Sequence, residues 1–548
     1  MTRRQLIAIA ALVAVLAIGA VAALTVPRLL ARSTGEVPHF VEEATAAGVA
    51  QSYTGDFDYF IGGGVAAFDC NDDGRPDLYF AGGTSPAGLF VNQSQPGKAL
   101  SFSHVSSTIT DLTEVIGAYP IDIDGDGMTD LAVLRNGTGN VLLRGLGGCQ
   151  FQPANEQWGF DGGNAYSTAF SAKWDKGASW PTVAIGNYLS PVKPDVSYDC
   201  VDDQIFHPAP AGAGFVAPVP LSPSWCTLSL LFTDWDRSGR RDLRVSNDRQ
   251  YYTEYSGGQE QLWRVPSSGA PSQYSLADGW QPLNIFGMGI ADYDVNSDGY
   301  PDYYLTSQAD NKLQFLANGP SSPNYVDRAL PMHATATRPY TGDVSLASTA
   351  WHDEFQDVNN DGLIDLYVSK GNVDAMPDLA AQDPSNLMIG QADETFLEGG
   401  TQAGIDAFDK ARGAALVDLN GDGMLDLVIV DRMANVRMYR NVGSGTEAAP
   451  RTMGNWLGLQ LRQDDANRDA IGSWIEVKTD QGIQQRELTI GGGHASGELV
   501  PVHFGLGNAS SAQVRITWPD GQIGQWQSVD ANQTYVIQPN GAPIVVSQ

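Results

Sequence analysis

Six nine-residue segments of this chain share one pattern. They are "DCNDDGRPD" (69–77), "DIDGDGMTD" (122–130), "DWDRSGRRD" (234–242), "DVNSDGYPD" (294–302), "DVNNDGLID" (357–365) and "DLNGDGMLD" (418–426). Each places Asp first, Asp, Asn or Ser at positions 3 and 5, Gly at 6 and Asp at 9. Internal self-similarity constrains a fold more than any single element, because each repeat must be one structural unit. The starts 69, 122, 234, 294, 357 and 418 are separated by 53, 112, 60, 63 and 61 residues. The doubled gap predicts a degenerate copy, and "AKWDKGASWPTVAIG" fits it with Asp175 at the first position. The count becomes seven modules.

The closing aspartates open short runs such as "DLYF", "DLAV" and "DYYL", rich in β-branched and aromatic residues. Small or apolar segments such as "GGGVAAF" and "RGAALV" precede the first aspartates. Both read as strands, so the acidic loop is a strand–loop–strand corner. Further strand-like pieces follow in each unit. About four short strands per roughly 60 residues is the signature of a propeller blade. The fold class expected is all-β: a seven-bladed β-propeller with calcium-binding loops, then a small C-terminal β domain. The fragment "HFVEEATAAGV" (39–49) could complete the last blade and close the ring.

The repeated residues suit a hard cation. Side-chain oxygens at positions 1, 3 and 5, a carbonyl at 7 and a carboxylate at 9 can converge once glycine permits the turn. The expected ligands are Asp69, Asn71, Asp73, Arg75 and Asp77 in the first loop, and Asp122, Asp124, Asp126, Met128 and Asp130 in the second. Next come Asp234, Asp236, Ser238, Arg240 and Asp242, then Asp294, Asn296, Asp298, Tyr300 and Asp302. Asp357, Asn359, Asp361, Leu363 and Asp365, then Asp418, Asn420, Asp422, Met424 and Asp426, complete the set. Arg75, Met128, Arg240, Tyr300, Leu363 and Met424 would contribute backbone carbonyls only. Oxygen donors favour Ca2+ over magnesium, which demands tighter octahedral geometry. About six calcium sites are expected, the one at 234–242 weak and the degenerate copy empty. Plain acidic turns are the competing reading, since Asp, Asn and Gly favour turns; six copies at one spacing argue against it.

These motifs resemble the FG-GAP/VCBS repeat of integrin α-chain propellers, with the FG visible as Phe286-Gly287. The segments "NRDAIGSWIEVKT" (467–479), "RELTIGGGHASGE" (486–498) and "VHFGLGNASSAQVRITWPDGQ" (502–522) are similar to the ASPIC/UnbV domain. That domain follows such repeats in the cartilage acidic protein family. The "GGGHASGE" segment departs from the serine-rich turn more usual there. The resemblance implies a propeller over 35–445 and an ASPIC/UnbV domain over 452–540.

The net charge of −31 is wrong for a phosphate-binding face, so nucleic acid is not an expected partner. Four cysteines form no CxxC and no zinc spacing. Cys200–Cys226 could bridge a proline-rich loop, with Cys70–Cys149 a second pairing; buried thiols are the alternative. Residues 1–34 read as a signal peptide or signal anchor: Arg3 and Arg4 precede an uncharged, mostly apolar run from Leu6 to Val26. Its length favours an uncleaved anchor over a secretory core, while Ala20-Val21-Ala22 leaves cleavage open. Either outcome places the rest outside the cytoplasm, with the membrane touched only through this segment.

No HExxH, GxSxG or P-loop occurs, and "SPVK" (190–193) stands without companion motifs. His352 could face a central channel or pack as an ordinary core histidine. His494 is placed in a flexible turn and His503 in a strand core. Trp474, Trp518 and Trp526 read as core before sugar platforms. The segments 190–226 and 248–263 are the candidate surface for a protein or glycan partner. The function expected is a binding, adhesion or scaffold module with no evident catalysis. The alternative is an enzyme or biosynthetic accessory protein working in the central channel.

Overall fold

Each acidic nonapeptide joins two antiparallel strands, and the computed structural model shows one register for all six. The structure describes residues 35–190, 200–210, 212–248, 258–336, 346–373 and 379–546. The residue before position 1 faces position 9 in every copy: Phe68–Asp77, Ile121–Asp130, Thr233–Asp242, Tyr293–Asp302, Gln356–Asp365 and Val417–Asp426. The degenerate copy obeys the same register but shifted from the expected one. Lys173 faces Thr182, so Trp174 and Thr182 hold positions 1 and 9, and Asp175 is one residue too late. Asp175 is the only acid in this stretch, but strand pairing, not the acid, fixes the position.

The chain is all-β, built largely from four-stranded sheets of the kind that form propeller blades. We number I to VII the sheets whose inner strands are Val65–Phe68, Val115–Ile121, Tyr166–Lys173, Thr227–Thr233, Gly287–Tyr293, Ala350–Gln356 and Lys410–Val417. Sheets I to VI are meanders of four consecutive strands, and sheet VII takes His39–Glu42 as its outermost strand, as the sequence suggested. The inner strands touch in cyclic order, VII meeting I. They are buried almost throughout, which explains their small and apolar composition. Side chains interdigitate between sheets, as where Tyr367, Leu387 and Ile389 meet Leu416, Leu427 and Ile429. Cys70–Cys149 and Cys200–Cys226 are both disulfides.

Two further four-stranded sheets form the C-terminal domain around Leu457, Leu459, Ile475, Val477, Phe504 and Ile516. Its segment 490–499 leaves this core and runs into the centre of the ring, touching all seven inner strands. Ser171 Oγ donates to Ile490 O at 2.6 Å, Gly492 N to Leu230 O at 2.8 Å and Gly493 N to Ile290 O at 2.7 Å. His494 N donates to His352 Nδ1 at 3.1 Å, and Val65 N donates to Ser496 Oγ at 3.1 Å. Leu416 N donates to Glu498 Oε1 at 3.2 Å, and Gly497–Leu499 adds a parallel strand beside Ala66–Phe68. Ala495 O packs on Gly117, where a Cβ would have no room. His494 is therefore fully buried, not in a flexible turn, and its Nε2 pairs with Ile61 O at 2.6 Å.

The expected N-terminal anchor, residues 1–34, lies outside the described residues. Among the described residues, no helix is long and apolar enough to cross a membrane.

Candidate metal centres

Position by position, the six loops repeat their internal hydrogen bonds. The glycine N–H at position 6 donates to a carboxylate oxygen of position 1 in every copy, from 2.7 Å at Gly74–Asp69 to 3.0 Å at Gly299–Asp294. The N–H of position 7 returns to the side chain of position 5: Arg75 to Asp73, Met128 to Asp126, Arg240 to Ser238, Tyr300 to Asp298, Leu363 to Asp361 and Met424 to Asp422. The glycine is required because its φ lies between +79° and +92° in the six loops. Position 4 is left-handed as well, at Asp72, Gly125, Arg237, Ser297, Asn360 and Gly421. Its varied composition hid that constraint from the sequence.

The aspartate at position 9 ties the loop to the sheet. One oxygen accepts the N–H of position 2, as from Val358 to Asp365 at 2.9 Å. The other accepts from the third strand: Asn92 to Asp77, Gly145 to Asp130, Gly390 to Asp365 and Asn441 to Asp426, each 2.8 Å. Each oxygen keeps a lone pair for a cation.

Burial, then neighbouring carboxylates, push these acids upward. Asp302 rises to about 9 and Asp77 to about 7. Asp130, Asp365 and Asp426 move well above the carboxylate range. Asp122 and Asp418 reach about 7 and Asp294 about 6. Several buried anions with too little compensating charge call for a divalent cation. Oxygens of Asp122, Asp124 and Asp126 already lie within 4.8 Å of one another, and Asp422 Oδ2 is buried without a hydrogen-bond partner. The donor chemistry of the first, second, fourth, fifth and sixth nonapeptides is thus compatible with a hard divalent cation such as calcium.

The loop at 234–242 fits poorly. Its Arg240 reaches Asp242 at 3.1 Å and Asp236 at 3.4 Å, so a guanidinium stands beside the carboxylates. Asp242 Oδ2 also accepts from Trp235 Nε1 at 3.0 Å and Tyr274 OH at 2.6 Å. Arg75 and Arg144 approach the first two loops, but they contact only Asp73, and Asp124 with Asp126, leaving position 9 free of them. At the degenerate copy, Lys173 Nζ lies 3.1 Å from Asp175. Cys70 and Cys149 beside Asp77 supply no thiolate, because they form a disulfide.

The loops share one face, and the C-terminal domain is seated on it. Arg237 stacks over Trp474 at 3.9 Å, and Arg241 pairs with buried Glu487 at 3.3 Å. Gln485 Nε2 donates to Asp294 Oδ2 at 3.2 Å, and His503 Nε2 pairs with Asn360 Oδ1 at 2.6 Å. His503 and Trp474 are thus interface residues. Trp518 is buried, and Trp526 is half-buried under Arg515.

These features define an all-β protein of acidic-loop repeats with a C-terminal domain closing the loop face. The family models agree: the FG-GAP-like repeat matches residues 69–133 and 357–429, and ASPIC and UnbV matches 463–544. The chain carries FG-GAP-like repeats followed by an ASPIC and UnbV domain. Cartilage acidic protein 1 of Xenopus tropicalis and of Mus musculus is 30% identical over 115 residues, which is 21% of this chain and 17% of each relative. The match thus spans about a sixth of the curated relatives' length. Among solved structures, the BBS1N chain crystallised with ARL6DN aligns over 76% of this chain and 100% of its own, at 10% identity and TM-score 0.42. A lectin of Agrocybe aegerita that recognises terminal N-acetylglucosamine aligns over 70% of this chain and 76% of its own, at 16% identity and TM-score 0.30.

Proposed function

We propose that the chain is an extracytoplasmic, seven-bladed calcium-binding propeller that works as a binding or scaffold module. Residues 1–34 export or anchor it. The observation that carries this reading is the recurrence of one oxygen-rich loop geometry at five corners of the ring, with a sixth corner filled by Arg240. Calcium neutralises the buried aspartates and fixes the corners. It also stiffens the platform on which the C-terminal domain sits.

The partner is a protein or glycan that meets the opposite face. In an antiparallel meander, the connections between second and third strands emerge opposite the acidic loops. The long segments 190–202 and 248–260 are such connections, although 191–199 and 249–257 lie outside the described residues. Catalysis in an open central channel has against it the filling of the axis by 490–499. The test is a pull-down from the surface or periplasmic fraction, with and without EGTA. A calcium-dependent protein or glycan partner is expected. Failure to recover one in either condition would remove the binding reading, and release of a small molecule from the captured chain would favour the enzyme.

A further inference from the structure

Position 2 of the acidic nonapeptides lies against the aspartate at position 9. In five of the six copies its N–H donates to that carboxylate, as from Ile123 to Asp130 at 2.8 Å and from Cys70 to Asp77 at 2.9 Å. In the third copy the side chain of Trp235 donates to Asp242 instead. Ile123, Val295, Val358 and Leu419 are aliphatic and offer the carboxylate nothing. The first copy differs from all of these. Cys70 Sγ stands 2.9 Å from Asp77 Oδ2, and Cys149 Sγ stands 3.6 Å from the same oxygen. Cys149 belongs to sheet II, in the turn between Val141–Gly145 and Phe151–Pro153. Its N–H donates to Cys70 O at 3.0 Å, so the backbones hold the two cysteines together apart from the bond between their sulfurs. Asp77 is fully buried, whereas Cys70 and Cys149 keep 8% and 7% exposure, which puts the sulfurs on the solvent side of the cluster.

A dithiol opens such a disulfide by exchange: two electrons and two protons pass to the protein sulfurs, and the dithiol leaves as its own disulfide. Two thiols and a carboxylate, brought from two sheets, then converge on one point. Zinc held at about 2.3 Å by sulfur and about 2.0 Å by oxygen, with tetrahedral angles, sets each sulfur about 3.5 Å from the oxygen and the sulfurs about 3.8 Å apart. The observed separations from Asp77 Oδ2, 2.9 and 3.6 Å, bracket the first value. Sulfurs freed from their bond part to van der Waals contact, which is close to the second. Metal entry releases the two thiol protons. Two thiolates beside a buried carboxylate carry their charge only with a cation among them. Thiolate is a soft donor that selects zinc and its neighbours, whereas calcium takes oxygen.

We propose that reduction of Cys70–Cys149 by a dithiol converts this corner into a site for a thiophilic divalent metal of the zinc class. Both thiolates and Asp77 hold the ion, and the fourth position stays open to water or an outside ligand. The site goes beyond the calcium reading and requires none of the acidic loops to be filled. For the test, the full chain is reduced with dithiothreitol, desalted under argon and titrated with Co2+, whose thiolate charge-transfer and tetrahedral d–d bands report the donors. These bands are expected only after reduction, at one Co2+ per chain, and one equivalent of Zn2+ should displace them. Asp77→Asn should bind about tenfold or more weakly, and Cys149→Ser should lose most of the thiolate band. Cys226→Ser, in the other disulfide, should keep it. No thiolate band after reduction, an undiminished band in Cys149→Ser, or undiminished affinity in Asp77→Asn would overturn the proposal. Near-UV circular dichroism checks the fold. Should reduction unfold the chain, recovery of the native spectrum on adding zinc supports the site, and no recovery refutes it. Should either variant fail to fold, zinc-edge X-ray absorption of the reduced wild-type chain decides: two sulfurs together with oxygen support the site, while sulfur alone or no sulfur refutes it.

Discussion

Removing calcium should lower the melting temperature by an amount that the loops themselves set. Five of the six nonapeptides fit the ion, the exception being the one that holds Arg240. Extracellular calcium modules bind with Kd of roughly 10⁻⁴–10⁻³ M. At about 1 mM calcium, each filled site then stabilises the folded state by about 0.4–1.4 kcal/mol. Five such sites give about 2–7 kcal/mol. A ring of about 400 residues has an unfolding entropy near 0.8 kcal/mol per kelvin, so the expected fall is about 2–8 °C. Scanning calorimetry in calcium and in EGTA reads it directly. Single-loop variants sharpen the test. Asp361→Asn should remove about a fifth of the calcium-dependent shift, because Asp361 contributes a half-buried carboxylate to a loop that no arginine enters. Asp236→Asn should leave the shift unchanged, because Arg240 already occupies its loop. An identical melting curve in EGTA, or equal losses from both variants, would refute the reasoning.

Gly117→Ala would drive a Cβ into Ala495 O at the ring axis, where φ is ordinary and space alone is lacking. A loss of about 1–3 kcal/mol and faster proteolysis near residue 495 are expected, measured by denaturant melts and peptide mapping. Reduction of the two disulfides releases chain separations of 79 and 26 residues, worth about 4.5 and 3.5 kcal/mol in the chain-entropy model. Urea midpoints of Cys70→Ser and Cys226→Ser should therefore fall, the former further. Burial lowers His494 and His503 to about 3. The unfolded chain takes up these protons first, so their contribution is complete above about pH 6.5 and is lost as pH falls toward 3. In saturating calcium, stability should drop between pH 6.5 and 4.5 by up to about 2.7 kcal/mol per histidine, and His503→Gln should flatten the slope.

The acidic loops were legible because their chemistry demands fixed residue types at fixed spacing. Strand closure by His39–Glu42 was legible for the same reason: one orphan strand faced one incomplete sheet. The degenerate corner was misplaced by one residue because Asp175 drew the alignment, while backbone pairing of Lys173 with Thr182 sets the true position. The role of "GGGHASGE" could not be read locally. Its glycines look like a flexible turn, yet they let the backbone approach seven strands that lie from 82 to 431 residues away in the contacts of Glu498 with Leu416 and of Ser496 with Val65. Nor does sequence tell that Arg240 answers the carboxylates of its own loop, since Arg75 holds the same position in a loop that still fits an ion.

The placement of the C-terminal domain narrows where recognition can occur. Its sheets cover the loop face through Trp474, Gln485, Glu487 and His503, and its segment 490–499 fills the axis. Two surfaces that a propeller commonly offers to partners are thus consumed by its own chain. The ring also acquires contacts that no single sheet could supply. Each inner strand meets the same ten-residue segment, so displacing that segment would expose seven strands together. The acidic loops lie between these two roles: they form the corners of the sheets and at the same time carry Arg237, Arg241, Asp294 and Asn360, the residues that grip the C-terminal domain. If the proposed ion fills the loops at 294–302 and 357–365, its loss there should loosen a sheet and a docking contact together. Chelation should be felt at the axis as well as at the rim, and the free surfaces left for a partner are the opposite face and the outer edges of the sheets.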